Sequence, residues 1–274
     1  MKKSAHLAVL FVLSALAVPL AARAKLISRA IAYEHDGVRL EGYLAYDDAY
    51  PFASGGHVGR PGILIAPEWW GLNDYVRGRA DQLAGLGYVA FAIDMYGKGV
   101  TTTHAETAKR LAQPFYGSEL MADRARAGLD QLIKTGLVDE KRIAAIGYCF
   151  GGAAVLSLAY TGAPLAAVVC FHGSLIPAPA AAAARIHARF LICHGAIDPF
   201  VTKDQVDAFL KSMNEGKFEY EFISYSGAMH AFTNPDSDQL AFENRLHGIG
   251  YNPVADRRSW AAMRGFLHEV LGFN

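Results

Sequence analysis

The stretch that most constrains this chain is residues 141–156, Lys-Arg-Ile-Ala-Ala-Ile-Gly-Tyr-Cys-Phe-Gly-Gly-Ala-Ala-Val-Leu. Residues 142–146 form a short apolar run of the kind that fills an inner parallel strand. Residues 153–160 are apolar, uncharged and rich in helix formers, which suits a buried helix. Between them Gly147, Gly151 and Gly152 surround Cys149. Gly-x-Cys-x-Gly between a strand and a helix has the shape of a nucleophile elbow, with cysteine in place of serine. Such a turn strains the backbone at the nucleophile. Side chains two residues to either side of it would collide with the flanking strand and helix. The helix that follows would aim its free N–H groups and positive dipole end at the thiol, and both favour thiolate. A small buried hydrophobe beside a tight turn is the alternative for any lone cysteine; three glycines in this context weigh toward a nucleophile.

The rest of the composition narrows the class. The chain has 274 residues, 52% of them hydrophobic, enough for one large core. Lys+Arg and Asp+Glu are both 26, so no excess charge points to nucleic acid or an anionic membrane. Lys2 and Lys3, the apolar residues 7–20 and Ala22-Arg23-Ala24 together read as a secretory signal peptide. The expectation is a leader over residues 1–24, a single domain over residues 25–274, an exported protein in a periplasm or beyond, and no stable membrane association after cleavage. Three cysteines, Cys149, Cys170 and Cys193, then meet an oxidising compartment, so at least one stays unpaired. A Cys170–Cys193 disulfide is left open, because sequence does not give its geometry.

Residues 27–33 and 38–46 alternate apolar and polar and predict an antiparallel hairpin at a sheet edge. Residues 47–61 predict a loop. Inner strands are expected over 62–66, 88–93, 142–146, 166–171, 189–194 and 218–225. Helices are expected over 73–86, 103–113, 117–135, 153–160, 202–214, 238–246 and 254–271. A leading hairpin followed by repeated strand–helix units specifies α/β, with a mostly parallel central sheet and helices on both faces.

Open parallel sheets carry their reactive groups in loops at the carboxyl ends of the strands. That filter selects Glu68, Asp94, Lys98, Cys149, His172, Asp198 and His230. Cys149, Asp198 and His230 follow one another in the order nucleophile, acid, histidine. A thiol needs a base within hydrogen-bond reach, and the imidazole needs a carboxylate to fix its tautomer. The plain alternatives are a turn or helix N-cap residue for Asp198 and a solvated loop histidine for His230. His172 and His194 compete for the base role. No Cys-x-x-Cys or His-Glu-x-x-His spacing supports a metal site, and no cofactor is expected.

With Glu68 in Pro-Glu-Trp-Trp-Gly, Cys149 in Gly-Tyr-Cys-Phe-Gly-Gly, Asp198 in Gly-Ala-Ile-Asp-Pro and His230 in Met-His-Ala-Phe, the chain resembles the dienelactone hydrolase family (carboxymethylenebutenolidase-like). The resemblance runs from the first inner strand to the last loop. It implies an α/β-hydrolase fold, a Cys149–Asp198–His230 triad, and Glu68 as a resting partner of the thiol. It implies an oxyanion hole formed by the backbone N–H groups of Phe150 and Trp69. It also implies hydrolysis of a small-molecule ester or lactone. Members specific for dienelactone hold the substrate carboxylate with two arginines. This chain has Lys98 at the first such place and Asn234-Pro235-Asp236 at the second. Trp70, Tyr96, Tyr148 and Phe232, with Lys98, are the expected substrate-pocket residues. A non-catalytic binding protein on the same fold is the competing reading, and the intact set of Glu68, Cys149, Asp198 and His230 argues against it.

Overall fold

The computed structural model describes residues 25–51, 53–54 and 57–272, so the expected leader over residues 1–24 lies outside the described residues. Strands β1 (Leu26–His35) and β2 (Val38–Asp47) form the expected hairpin, in register from Leu26 opposite Asp47 to His35 opposite Val38. Asp36 and Gly37 both take positive φ at its tip, which is what a two-residue turn between right-twisting strands requires. Residues 47–61 are more than a loop. They hold the two-residue strands β3 (Ala53–Ser54) and β4 (His57–Val58), and β5 (Arg60–Ala66) already begins at Arg60. The Arg60 side chain donates to the Asp47 carbonyl at 2.6 Å, which ties the hairpin's end to that strand.

The chain continues through α1 (Asp74–Ala84), β6 (Val89–Ala92), α2 (Ala105–Ala112), α3 (Leu120–Lys134), β7 (Val138–Tyr148) and α4 (Phe150–Tyr160). It closes with β8 (Ala167–Phe171), β9 (Arg189–Gly195), α5 (Lys203–Glu215), β10 (Tyr220–Tyr225), α6 (Ser237–Asn244) and α7 (Pro253–Leu271). Eight strands make one sheet in the order β1-β2-β6-β5-β7-β8-β9-β10. The β1–β2 and β2–β6 pairs are antiparallel, and every later pair is parallel. The expected mostly parallel sheet is therefore present, with its antiparallel hairpin at one edge.

Alternation along the strands splits the core into two layers. On one face Leu64, Ala145, Val168 and Ile192 pack under α3, α4 and α5, through residues such as Leu129, Val155 and Phe209. On the other face Ile63, Ile65, Ile146 and Leu191 pack under α1 and α7, through Val76, Leu83, Met263 and Leu267. β5 is buried along its whole length, the pattern of a strand covered on both faces. Cys170 belongs to the first layer and Cys193 to the second. Their thiols point to opposite faces of the sheet, and all three cysteines are free. No helix among the described residues is long and apolar enough to cross a membrane.

Candidate active site

The parallel strands end together, and their carboxyl-terminal loops converge on one cleft. Cys149 follows β7 and opens α4 with φ 53° and ψ −116°. Positive φ is rare for a residue with a side chain and is held only by surrounding structure. The glycines show what holds it. A Cβ on Gly147 would stand 2.0 Å from the Gly151 carbonyl oxygen, and one on Gly151 would stand 2.2 Å from that of Ala66. The Cys149 N–H donates to the Phe171 carbonyl at 3.0 Å, fixing the turn to the end of β8. Phe150 begins α4, so its N–H has no acceptor within the helix.

Asp198 follows β9. Its Oδ1 accepts the Phe200 N–H at 2.8 Å, and its Oδ2 lies 2.8 Å from His230 Nδ1. The carboxylate therefore shapes its own turn and meets the imidazole at once. The helix N-cap that it was weighed against is supplied by Thr202, in a capping box with Gln205. His230 is fixed by its backbone. Its N–H donates to Gly248 O and its carbonyl accepts from Gly250 N, both at 3.1 Å. Its Nε2 lies 3.0 Å from Cys149 Sγ. Burial acts to lower the His230 pKa, but charge on the Cys149 sulfur and the Asp198 carboxylate outweigh it and raise it to about 10. The imidazole is thus held toward its protonated form between the Asp198 carboxylate and the Cys149 sulfur.

The other histidines are placed differently. His172 meets Thr233 Oγ1 through Nε2 at 2.6 Å and stacks edge-on against His230 with ring centroids 5.5 Å apart. Burial, followed by the neighbouring His230, holds its pKa well below the usual value. It is a neutral wall behind His230. His194 is buried against Phe222, and burial lowers its pKa too.

Glu68 stands on the wall of the same site, held by Asn234. It is 1% exposed and lines the same cavity as Cys149 and His230. Its Oε2 accepts from Asn234 Nδ2 at 2.6 Å, while the thiol meets His230. Burial pushes its pKa up to about 7, against the lowering effect of the Asn234 hydrogen bond. Thr233, next to Asn234, accepts through its carbonyl from Arg79, which also meets Asp256 at 2.6 Å. A buried polar network therefore supports the segment that carries Asn234.

The pocket residues separate into two groups. Trp69 and Trp70 line the cavity, with ring centroids 5.0 Å apart. Tyr96 braces the Trp69 carbonyl through its hydroxyl at 3.0 Å and packs on Phe150, supporting the site from behind. Lys98, Tyr148 and Phe232 do not line the cavity. Lys98 is drawn outward to Glu41 at 2.7 Å. Tyr148 stacks on Phe171 at 4.9 Å in the core, because the residue before Cys149 points to the opposite face of the sheet. Phe232 packs on His172 and Tyr225 in that same layer. Sequence reasoning missed Tyr116, Ser174, Phe200, Leu240, Leu246 and Ile249, which with Ala231 and Ser237 complete the cavity wall. They come from loops and from α6, where no local pattern marks a pocket; Asn234 alone stood in a stretch already noted. Among the described residues no group of three or more His, Cys, Asp or Glu is arranged to hold a metal.

Comparison with known proteins adds an independent line. The model of the dienelactone hydrolase family matches residues 48–271. The solved structure of a dienelactone hydrolase-like promiscuous phosphotriesterase from metagenomic libraries is 38% identical. It superposes with a TM-score of 0.82, covering 89% of this chain and 98% of its own. The protein usf of Aquifex pyrophilus is 26% identical over 88% of this chain and 98% of its own length. A puromycin-hydrolyzing peptidase of Mycobacterium tuberculosis shares the fold alone, at 18% identity and a TM-score of 0.65. That match covers 90% of this chain and 41% of the peptidase.

Proposed function

The chain belongs to the dienelactone hydrolase family, and from that premise we propose that this hydrolase cleaves esters or lactones through a thiol-bound acyl intermediate. The observation that carries the proposal is the hydrogen-bonded line from Asp198 Oδ2 to His230 at 2.8 Å and from His230 Nε2 to Cys149 Sγ at 3.0 Å, set on a strained elbow. The Cys149 sulfur attacks the substrate carbonyl carbon, and charge moves onto the carbonyl oxygen. The Phe150 and Trp69 amides hold that oxygen; one such donor is worth about 10²–10³ in rate. Collapse expels the alcohol oxygen, which takes the proton from the His230 imidazolium. His230, neutral again, then takes a proton from water as the water attacks the thioester. The carboxylic acid leaves and the thiolate is restored. Asp198 keeps Nδ1 protonated through both halves. Glu68 is assigned an assisting role from its place on the cavity wall, beside rather than within this proton path.

A panel of neutral esters and lactones tests the proposal. Cys149→Ala should abolish turnover with the fold intact, and Cys149→Ser should be much poorer than wild type, since a site that poises a thiolate is not thereby built to ionise a hydroxyl. Glu68→Ala should lose less than Cys149→Ala. Full hydrolysis by Cys149→Ala overturns the assignment. A second substrate class is supported by the 38% identical phosphotriesterase: an uncharged aryl phosphotriester suits the same sulfur nucleophile and belongs in the panel. We also infer export, with residues 25–274 as the mature domain, from the leader pattern of residues 1–24. Mass spectrometry of protein from its host should find an N-terminus near Lys25; an intact Met1 would sink the inference.

A further inference from the structure

The wall around the thiol has a chemistry of its own. The cavity, about 150 Å³, is walled by Trp70, Tyr116, Phe200, Leu240, Leu246 and Ile249 on its apolar side. Phe200 covers the histidine, with its ring 5.2 Å from that of His230. Among the described residues lining the cavity none is Lys or Arg, and the one basic side chain there is His230, beside the acidic groups of Glu68 and Cys149. Lys98 is turned outward, its side chain 60% exposed and paired with Glu41. Asn234 donates its amide to Glu68. A carboxylate entering this space would shed its water, meet no fixed cation apart from the imidazolium already held by Asp198, and stand near a second carboxyl. An uncharged apolar group would instead bury its surface against aromatic and aliphatic side chains. An apolar cavity of about this volume accommodates one aromatic ring.

We propose that the site selects uncharged esters and lactones whose apolar part has about the bulk of one ring or a short alkyl chain, and rejects substrates carrying a carboxylate there. This deepens the thiol-hydrolase reading and rests on it. Leu240, projecting from α6 into the cavity and only half-buried, is a specificity-determining residue on that wall.

The test uses two acetate esters of matched shape, 4-acetylphenyl acetate (neutral) and 4-carboxyphenyl acetate (anionic), each corrected for spontaneous hydrolysis. Wild type should favour the neutral ester in kcat/KM by about a hundredfold. Leu240→Arg, which places a cation on the wall, should bring the ratio to within about tenfold. Leu246→Lys is the second variant if Leu240→Arg does not fold, and Leu240→Met should keep the wild-type ratio. Lys98→Ala should leave the ratio unchanged. A wild-type ratio near one, or a selective loss of the anionic ester in Lys98→Ala, overturns the proposal, as does an unchanged ratio in a folded cationic variant. Failure of the underlying reading shows separately, as neutral-ester hydrolysis that survives Cys149→Ala.

Discussion

Glu68→Gln isolates what burial does to one carboxyl. Glu68 is 1% exposed, and its proton is held from an ordinary 4.5 up to about 7, chiefly by desolvation. Each tenfold in proton affinity is about 1.4 kcal/mol, so the ionised side chain sits about 3 kcal/mol less favourably in the folded protein than in the unfolded chain. The native state binds this proton more tightly than the unfolded state, so stability falls as pH rises. At pH 4.5 the wild type has lost only about 0.5 kcal/mol; the loss grows toward pH 7 and is complete above it. Glutamine removes the charge and keeps an oxygen facing Asn234 Nδ2, now 2.6 Å from the carboxylate. The variant should therefore be about 3 kcal/mol more stable than wild type at pH 8 and nearly equal to it at pH 4.5. Urea unfolding followed by far-ultraviolet circular dichroism at the two pH values reads this directly, provided the slope with denaturant is unchanged. A stability difference that does not vary with pH, or a variant less stable at pH 8, would show that burial does not raise the Glu68 proton affinity.

Two further predictions probe the frame of the site. Gly151→Ala places a Cβ 2.2 Å from the Ala66 carbonyl oxygen, a backbone atom with nowhere to go; it should destabilise by about 3 kcal/mol or more, and a melting temperature within about 2 °C of wild type would contradict the close approach. Arg79→Leu leaves Asp256 without the partner it meets at 2.6 Å and the Thr233 carbonyl without its donor. Its cost should be about 3–5 kcal/mol, with part recovered in Arg79→Leu/Asp256→Asn; full additivity in that cycle would show that the two side chains do not stabilise one another.

Much of the fold was legible because strand and helix periods differ. The hairpin turn, the buried β5, and the apolar run into Gly147 each declare themselves locally. The elbow was legible for a steric reason: only glycine permits the approach of Gly151 to Ala66. Element boundaries were less so. β7 extends to Val138 because its early residues find partners across the sheet, as Arg60 does opposite Val138, and α4 starts at Phe150 rather than at the alanines that suggested it. Tyr148 and Phe232 were expected in the pocket from their neighbours in sequence, but pleat and loop geometry turn both into the core. Lys98 was chosen for its charge, which Glu41 draws outward. The Glu68–Asn234 contact joins residues 166 positions apart, and no local pattern carries it.

The proposed hydrolysis passes through a covalent bond between the acyl group and one sulfur. Acid-quenched intact mass spectrometry during turnover of a slow aryl ester, followed by peptide mapping, captures that bond. A fraction of the protein should be heavier by the mass of one acyl group, with that group on Cys149 and its amount falling as substrate is exhausted. Turnover without any adduct on Cys149, or an acyl group mapped to another residue that appears and decays with the reaction, would contradict that covalent route.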